Sequence, residues 1–424
     1  MALRFRSTRS DSPATTGFIE ALHRGLAPDG GLYVPETISP LPQGWTTGES
    51  VADIGCTVLG SWLDGELPGD ALEAAVRDAL NFPVQLVSLG GDWTGVHVLE
   101  LFHGPTLSFK DFGARTMSRL MAASLPEGRE ITILVATSGD TGSAVADGFS
   151  GLPGVRVVLL YPEGQVSPIQ ERQLVVKRPG VTSLKVRGTF DDCQRLVKGA
   201  FADEGLRHVG LSSANSINIG RLLPQSLYYL WAVSRLGEAE ICVPSGNLGN
   251  LTAAVLAWKA GMPVRGFIAA HNNNRFFPDY LTGDEVEFRP SVRTMSNAMD
   301  VGAPSNFERL EHMLGPQTMR SAIRGFSVDE AGTAASMRRL YEETGYLADP
   351  HTAVGIEAVR QLRPDRPVVV ASTAHPCKFP EAVEPATGVR PEMPDRLAAL
   401  WDEPVAARAM EVSGEALREV ILGA

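Results

Sequence analysis

The sequence predicts an α/β protein in which open, mostly parallel β-sheets are flanked by helices and preceded by a separate N-terminal segment. After Lys110, short apolar runs rich in β-branched residues alternate with helical stretches, which is typical of parallel sheets. Several of these runs end in loops rich in glycine and hydroxyl side chains that lead directly into a helix. The 424 residues suffice for two or three domains and a large core.

The first 96 residues are predicted to form the N-terminal domain. Turn signals occur at 28–31, 40–44 and 68–69, and a helix is predicted from Asp70 to Leu80. Asp70 is expected to cap this helix, and Glu73 to complete a capping box. No residue pattern in this segment indicates chemistry, so we expect it to contribute packing or to cover another part of the molecule.

The remaining chain contains apolar runs that we interpret as buried strands and periodic stretches that we interpret as helices. The predicted strands are Ile131–Ala136, Val155–Tyr161, Ser183–Arg187, Ile241–Pro244 and Pro367–Ser372. The predicted helices cover 143–149, 169–176, 193–201, a stretch ending at Leu230, and 251–261.

Composition and charge exclude several classes of function. The net charge of −11 leaves no basic stripe for a nucleic-acid backbone. No apolar run reaches the length of about 18 residues that a membrane span needs. The four cysteines form no C-x-x-C pair and there is no H-E-x-x-H motif, so we expect no disulfide framework and no metal site. We therefore expect a cytoplasmic enzyme or binding protein.

A lysine between two phenylalanines is the first candidate for chemistry. Lys110 lies between Phe109 and Phe112, shortly after a turn predicted at 104–105. An ammonium group in apolar surroundings is unfavourable, so it is expected to be paired, lowered in pKa or used covalently. A desolvated lysine is the amine that forms Schiff bases. The alternative is a lysine at a helix start that extends its head group to water.

Two glycine-containing loops at helix starts are candidate anion sites. Residues 245–250 connect a strand to a helix, a geometry in which backbone N–H groups and the helix terminus favour a phosphate. This loop lacks the endings of a P-loop and of a dinucleotide fingerprint, so the sequence is equally compatible with an ordinary strand-to-helix turn and with a phosphate site. Residues 137–142 suit a carboxylate or a second phosphate, and their alternative is a plain helix cap.

Taken together, these features indicate a pyridoxal phosphate enzyme that acts on a small amino acid. Such an enzyme needs a lysine for the aldehyde, backbone amides for the cofactor phosphate, and a partner for the pyridine nitrogen. Thr373, a hydroxyl at a strand end, could supply that partner. His103 and His375 are more simply interpreted as structural residues, as is the turn at 349–355.

A set of motifs in a fixed order then identifies a resemblance. The motifs are His103–Gly113, Ala136–Gly142, Ala214–Asn218 with Arg221, Pro244–Asn250, Ser296–Asp300, Asp349–Val354 and Ser372–Phe379. In this order the chain resembles the threonine synthase family in its long form, with an extra N-terminal domain. That family belongs to the fold type II pyridoxal phosphate enzymes, whose fold is like that of the tryptophan synthase β subunit. Leu248 and Cys377 stand where the family usually has Phe and Ala.

The resemblance implies a role for individual residues. Lys110 would hold pyridoxal 5′-phosphate as a Schiff base, and Thr373 would meet the pyridine nitrogen. The residues that would cradle the cofactor phosphate are Gly246, Asn247, Leu248, Gly249 and Asn250. Those that would bind the substrate α-carboxylate are Thr137, Ser138, Gly139, Asp140 and Thr141. Those that would bind the substrate phosphate are Asn215, Ser216, Asn218 and Arg221, while Lys378 and His103 are further candidates.

The resemblance also implies an activity, a substrate and an organisation of domains. The expected reaction converts O-phospho-L-homoserine and water to L-threonine and phosphate. The alternatives are a phospholyase or dehydratase on the same scaffold, which would yield a 2-oxo acid, and a non-catalytic anion-binding protein. We expect a monomer or dimer with an N-terminal domain over 1–96, a large cofactor-binding domain over 97–112 and 222–424, and a small α/β domain over 113–221.

Overall fold

The computed structural model describes residues 2–10, 12–283, 286–365 and 367–423. The strands of the described chain are β1 (Phe5–Ser7), β2 (Tyr33–Pro35), β3 (Gln85–Ser88), β4 (Val96–Glu100), β5 (Ile131–Ala136), β6 (Val155–Pro162), β7 (Val181–Val186), β8 (Leu211–Ser212), β9 (Ala239–Pro244), β10 (Val264–His271), β11 (Ile323–Ser327), β12 (Val368–Ser372) and β13 (Ala407–Met410).

Helices lie between these strands and on both sides of the sheets. They are α1 (Phe18–Arg24), α2 (Val51–Trp62), α3 (Gly69–Ala79), α4 (Lys110–Ser124), α5 (Asp140–Phe149), α6 (Pro168–Val175), α7 (Phe190–Ala202), α8 (Ile219–Leu222), α9 (Gln225–Leu236), α10 (Gly249–Lys259), α11 (Phe276–Leu281), α12 (Phe307–Ala322), α13 (Glu330–Thr344), α14 (Pro350–Leu362), α15 (Pro380–Thr387), α16 (Asp395–Ala398) and α17 (Gly414–Ile421).

Two parallel sheets confirm the predicted fold class. The larger sheet has six strands in the order β11-β10-β9-β12-β4-β3, and only the edge strand β3 runs antiparallel to its neighbour. The smaller sheet has five parallel strands in the order β13-β7-β6-β5-β8. The central strands of both sheets are buried along nearly their whole length because helices cover both faces, which explains their continuous apolar runs.

The predicted strands are confirmed as β5, β6, β7, β9 and β12, and the predicted helices as α5, α6, α7, α9 and α10. The predicted cap of α3 was wrong. Pro68 precedes its first residue and no side chain caps the helix, while Asp70 lies inside the first turn. Glu73 instead forms an ion pair with Arg77, the residue four positions later. The helix thus begins earlier than predicted, because a proline can precede a helix without supplying a side-chain cap.

The N-terminal segment packs against the rest of the chain through an apolar interface. Its strands β1 and β2 pair with each other, and its helices α2 and α3 contact α9 and α4 respectively. The predicted division into three domains stays a prediction. Two pairings bear on its boundaries: β3 joins the larger sheet, whereas the C-terminal strand β13 pairs with β7 of the smaller sheet.

Both sheets direct the ends of their central strands toward one region. The loops that follow β5, β9 and β12 contain residues 137–139, 245–248 and 373–375. Ligands of open α/β sheets bind at such carboxyl ends. The two sheets therefore bring the sequence-predicted loops to a common site.

Trp62 provides a test of the core on which this arrangement depends. It is fully buried at the end of α2, so we expect Trp62→Ala to lower the free energy of unfolding by about 3–5 kcal/mol. Trp401→Ala makes the same change at an exposed site and should cost less than about 1 kcal/mol. Urea unfolding followed by circular dichroism measures both values. Equal losses in the two variants would contradict the assignment of Trp62 to the core.

Candidate active site

Lys110 begins helix α4 and directs its amine into a cavity between the two sheets. The side chain is 14% exposed, and its Nζ lies 4.8 Å from the centre of the Phe109 ring. The backbone N–H of Phe109 donates to the carbonyl of Thr373 at 2.9 Å, which joins the start of α4 to the end of β12. Lys110 is thus held at the junction of two elements rather than extended into bulk water.

A buried carboxylate lies between Lys110 and a second lysine. Asp140 Oδ2 is 3.6 Å from Lys110 Nζ, and Asp140 Oδ1 is 2.7 Å from Lys378 Nζ. Lys378 is fully buried and also donates to the carbonyl of Thr106 at 3.0 Å. Gln170 Nε2 donates to Asp140 Oδ1 at 2.9 Å. Asp140 therefore balances two positive charges inside the protein.

The three charges determine one another's protonation. Burial lowers the pKa of Lys110, and the nearby ammonium of Lys378 lowers it further, while the Asp140 carboxylate opposes the shift. Burial by itself would raise the pKa of Asp140, but Lys378 and Lys110 overcome that effect and hold this pKa well below its usual range. Asp140 is therefore ionised, and Lys110 gives up its proton more readily than an ordinary lysine.

The side chain of Thr137 stabilises the loop before α5. Thr137 Oγ1 accepts from the N–H groups of Gly139 and Gly142 at 3.1 and 2.8 Å. Gly139 has φ 137°, and a Cβ there would lie 2.6 Å from Cδ of Gln170, so only glycine fits. The helix begins at Asp140, three residues before its predicted start, because this local cap allows an earlier turn. Thr137 therefore caps the start of the helix and also lines the cavity, together with Ser138 and Thr141.

Residues 245–250 form a backbone cradle at the start of α10. Leu248 has φ 60°, a left-handed conformation uncommon for leucine, and α10 begins at the next residue. A Cβ on Gly246 would lie 2.8 Å from Cα of Met299, so glycine permits the close approach of a neighbouring loop. The first N–H groups of α10 lack partners within the helix and border the cavity, as an anion site requires.

The asparagine side chains of the cradle make specific contacts. Asn250 Oδ1 accepts from the hydroxyls of Tyr228 and Tyr229 at 2.6 and 2.7 Å. Its Nδ2 is buried and has no hydrogen-bond partner among the described residues, so it remains available to a bound group. Asn247 Nδ2 donates to Ser216 Oγ at 2.6 Å, which joins the cradle to the 214–218 loop.

The 214–218 loop and the following helix α8 bring three of the four residues predicted to bind the substrate phosphate to the cavity. Asn215, Ser216 and Arg221 line it, and buried Arg221 donates to the carbonyl of Ala214. The prediction that Asn218 contacts substrate is not supported. Its Oδ1 accepts from Gly220 N–H, and its Nδ2 donates to the carbonyls of Leu22 and Ser213, so both N–H donors that a phosphate would need are already used.

One cavity of about 1770 Å³ joins these loops, larger than the 300–1,000 Å³ typical of a site for a single small ligand. The predicted residues that line it are Lys110, Thr137, Ser138, Asp140, Thr141, Asn215, Ser216, Arg221, Gly246, Asn247, Leu248, Gly249, Asn250 and Thr373. This volume and donor set fit pyridoxal 5′-phosphate together with an amino-acid substrate. No cluster of metal-ligating side chains occurs within the described ranges.

The further candidates His103 and Lys378 lie outside the cavity lining, as do the predicted residues Gly139 and Asn218. His103 pairs with Glu100 at 2.7 Å, and Lys378 acts through Asp140.

His351 lines the cavity but was missed, because its motif also describes a helix cap. Asp349 does cap α14, but it also accepts from His351 Nδ1 at 2.6 Å, while His351 Nε2 accepts from the N–H of Ala298 at 3.2 Å. The Ser296–Asp300 motif, which contains Ala298, was the sequence feature that could have indicated a role for His351.

The protonation of Lys110 can be tested in protein freed of cofactor. Because burial lowers its pKa, the reaction of Lys110 with trace acetic anhydride should rise and level off below the ordinary lysine value of 10.5. Asp140→Asn removes a carboxylate that raises this pKa, so the profile should move to still lower pH. Asp70→Asn makes the same change on exposed α3 and should leave the profile unchanged. Competitive labelling read by mass spectrometry measures the profiles, and a shift to higher pH in Asp140→Asn would contradict the arrangement.

Comparison with known families matches almost the whole chain. A model described as pyridoxal-phosphate dependent enzyme matches residues 87–374. Models of the threonine synthase N terminus and of the threonine synthase C-terminal region match residues 4–80 and 352–421.

Relatives and solved structures agree with these matches. The threonine synthase of Escherichia coli (strain K12) is 39% identical over 423 residues, covering 97% of this chain and 98% of that protein. The structure of pyridoxal phosphate-bound threonine synthase from Brucella melitensis has a TM-score of 0.93 and 34% identity, covering 99% of each chain. The E. coli threonine synthase structure has a TM-score of 0.90 and 38% identity, also over 99% of each chain. The chain therefore belongs to the threonine synthase family of pyridoxal phosphate-dependent enzymes.

Proposed function

We propose that this enzyme converts O-phospho-L-homoserine and water to L-threonine and phosphate. Its cofactor is pyridoxal 5′-phosphate, and its reaction class is that of a carbon–oxygen lyase acting on a phosphate. The single observation that carries the proposal is the Lys110 amine, 3.6 Å from a buried carboxylate, in one cavity with two loops suited to phosphate. The phospholyase and dehydratase alternatives are not favoured, because the relatives over the full chain are threonine synthases.

The residues present fit the cofactor. Lys110 would hold its aldehyde carbon, the 246–250 cradle its phosphate, and the Thr373 hydroxyl its pyridine nitrogen. The unpartnered Nδ2 of Asn250 is a further donor in this region. When bound, the cofactor withdraws electrons from the substrate carbons and so makes the protons at Cα and Cβ acidic.

Lys110 is the residue we assign to proton transfer. Burial lowers the pKa of Lys110, which suits an amine that must lose and regain a proton during turnover. In the complex with substrate and cofactor, Lys110 Nζ would take the proton from Cα. Loss of a Cβ proton would let phosphate leave from Cγ, and water would add at Cβ to form the threonine hydroxyl. The proton balance is completed when Cγ and Cα regain protons and the departing phosphate takes up the proton that the added water releases.

Two loops would orient the substrate. Arg221, Asn215 and Ser216 would bind its phosphate, with the guanidinium suited to a bidentate contact. The α-carboxylate would bind to backbone N–H groups and hydroxyls of the 138–141 segment. The carboxylate of Asp140 would repel it, so the role we propose for Asp140 is to hold Lys110 and Lys378.

No helix among the described residues is long and apolar enough to cross a bilayer. A cytoplasmic location and a monomeric or dimeric state stay predictions.

Removal of the reactive amine tests the assignment of Lys110. Lys110→Ala should abolish turnover, because Lys110 is the lysine of the described chain that lines the cavity beside Asp140, whereas Lys378 is fully buried outside that lining. Lys259→Ala removes an exposed lysine at the end of α10 and should retain wild-type activity. Steady-state assays of phosphate release from cofactor-loaded protein measure both. Turnover by Lys110→Ala at the wild-type rate would refute the mechanism.

Product analysis tests the reaction itself. Cofactor-loaded enzyme given O-phospho-L-homoserine should release threonine and phosphate in a ratio of one to one, because each loss of phosphate from Cγ is followed by the addition of one water at Cβ. Threonine, phosphate and 2-oxobutyrate would be quantified in the same samples by chromatography. Phosphate with 2-oxobutyrate and no threonine would assign a phospholyase, and no phosphate at all would favour the non-catalytic alternative.

A further inference from the structure

Arg309, in the first turns of α12, is a buried cation whose partners are uncharged. Its side chain is 1% exposed. Nε donates to the carbonyl of Tyr33 at 2.8 Å, and Nη1 donates to Asn306 Oδ1 at 2.7 Å and to the carbonyl of Ser216 at 3.2 Å. Nη2 donates to the carbonyl of Ile217. The guanidinium is thus held by carbonyl and amide oxygens from three separate parts of the chain.

Within the described part of the chain, Arg309 has no ion-pair partner. The adjacent Glu308 instead pairs with Arg9 at 2.9 Å and accepts from Thr8. Burial lowers the pKa of Arg309 to about 9, only partly opposed by Glu308. A buried charge without a counter-charge is costly, so a nearby negative group would be stabilised at this position.

The partners of Arg309 connect it to both candidate phosphate loops. The carbonyls of Ser216 and Ile217 point to the guanidinium, which itself lies outside the cavity lining. Asn306 Nδ2 donates to the carbonyls of Ser216 and Asn247 at 3.3 and 3.1 Å. Arg309 and Asn306 therefore fix the loop at 214–218 and the cradle at 245–250 relative to each other.

The same contacts give the N-terminal segment a connection to the site. Tyr33 belongs to β2, and its carbonyl receives Arg309 Nε. Asn218, which ends the 214–218 loop, donates to the carbonyl of Leu22 in α1. The N-terminal segment thus supplies two backbone acceptors. The carbonyl of Leu22 holds the 214–218 loop through Asn218, and the carbonyl of Tyr33 holds it through Arg309.

We propose that Arg309 is a positioning residue whose buried positive charge stabilises phosphate groups bound at these two loops, and whose hydrogen bonds set the spacing between them. The proposal rests on the proposed function to the extent that phosphate binds there. Arg309 does not touch the bound phosphate. It acts through the backbone of Ser216 and Ile217 and through Asn306, and by its charge across the loop.

Inorganic phosphate, titrated into cofactor-loaded enzyme, tests this role by thermal shift. Phosphate should raise the melting temperature of the wild type, because a ligand bound to the folded state stabilises it. Arg309→Met should raise the half-saturating phosphate concentration by about tenfold, within the range of measured couplings between sites. Arg309→Lys, which keeps the charge but loses the fork of donors, should give an intermediate value. In assays, Arg309→Lys should raise KM for O-phospho-L-homoserine by a larger factor than it lowers kcat.

A matched control separates this role from a purely structural one. Arg235 donates to the backbone carbonyls of Gly48 and Glu49, as Arg309 does to those of Tyr33, Ser216 and Ile217, but it is exposed and outside the cavity lining. Arg235→Met should leave the half-saturating phosphate concentration unchanged. An equal half-saturating concentration in Arg309→Met and the wild type, with only a lower melting temperature, would overturn the proposal. If Arg309→Met does not fold, an unchanged phosphate titration in Arg309→Lys would overturn it in the same way.

The outcome for Arg309 is distinguishable from that for the proposed function. A wild type that forms threonine but shows no phosphate-dependent stabilisation would overturn the role of Arg309 alone. A wild type that binds phosphate with the predicted dependence on Arg309 but forms no threonine would support the positioning role and refute the proposed reaction.

Discussion

The structure of the site depends on the buried carboxylate of Asp140 between two ammonium groups. Without it, Lys110 and Lys378 would place two positive charges in a region that excludes water, which is unfavourable at the short distances observed. With it, Lys378 can remain fully buried and Lys110 stays in the cavity, where burial lowers its pKa against the opposing effect of the carboxylate. The same carboxylate holds Gln170, against which Gly139 packs without a side chain of its own. One negative charge thus organises the reactive amine and the loop beside it.

Beyond Asp140, the site concentrates buried positive charge in a protein whose net charge is −11. Lys378, Arg221 and Arg309 are nearly inaccessible to solvent, and each uses backbone carbonyls as hydrogen-bond acceptors. Lys378 is balanced by Asp140, but the carbonyl oxygens around Arg221 and Arg309 stabilise each cation without neutralising it, so an anionic ligand still gains from those charges. A substrate and a cofactor that each carry a phosphate complement such an interior. Because these cations are buried, the net charge of the whole chain does not reveal that the interior favours anions.

Local patterns predicted the elements but not all of their caps and contacts. The strands β5, β6, β9 and β12 were predictable because burial on both faces produces uninterrupted apolar runs. The capping box at Asp70 and Glu73 was wrong, because the same residue types also suit a first turn with an intrahelical ion pair. Asn218 matched a motif yet faces the N-terminal segment. A motif records which residues occur together, and it does not record the direction in which each side chain points.

The sequence by itself indicated the fold class, Lys110 as the candidate reactive residue and the two glycine-containing loops, because each is carried by residues close together in the chain, and the order of such local motifs indicated the family. The tertiary structure alone decided the contacts between distant segments. Asp140 meets Lys378 across 238 positions, and Arg309 meets the carbonyl of Tyr33 across 276. Buried charges select such partners by distance and desolvation once the sheets have formed. These interactions depend on three-dimensional proximity, which neither spacing nor composition encodes.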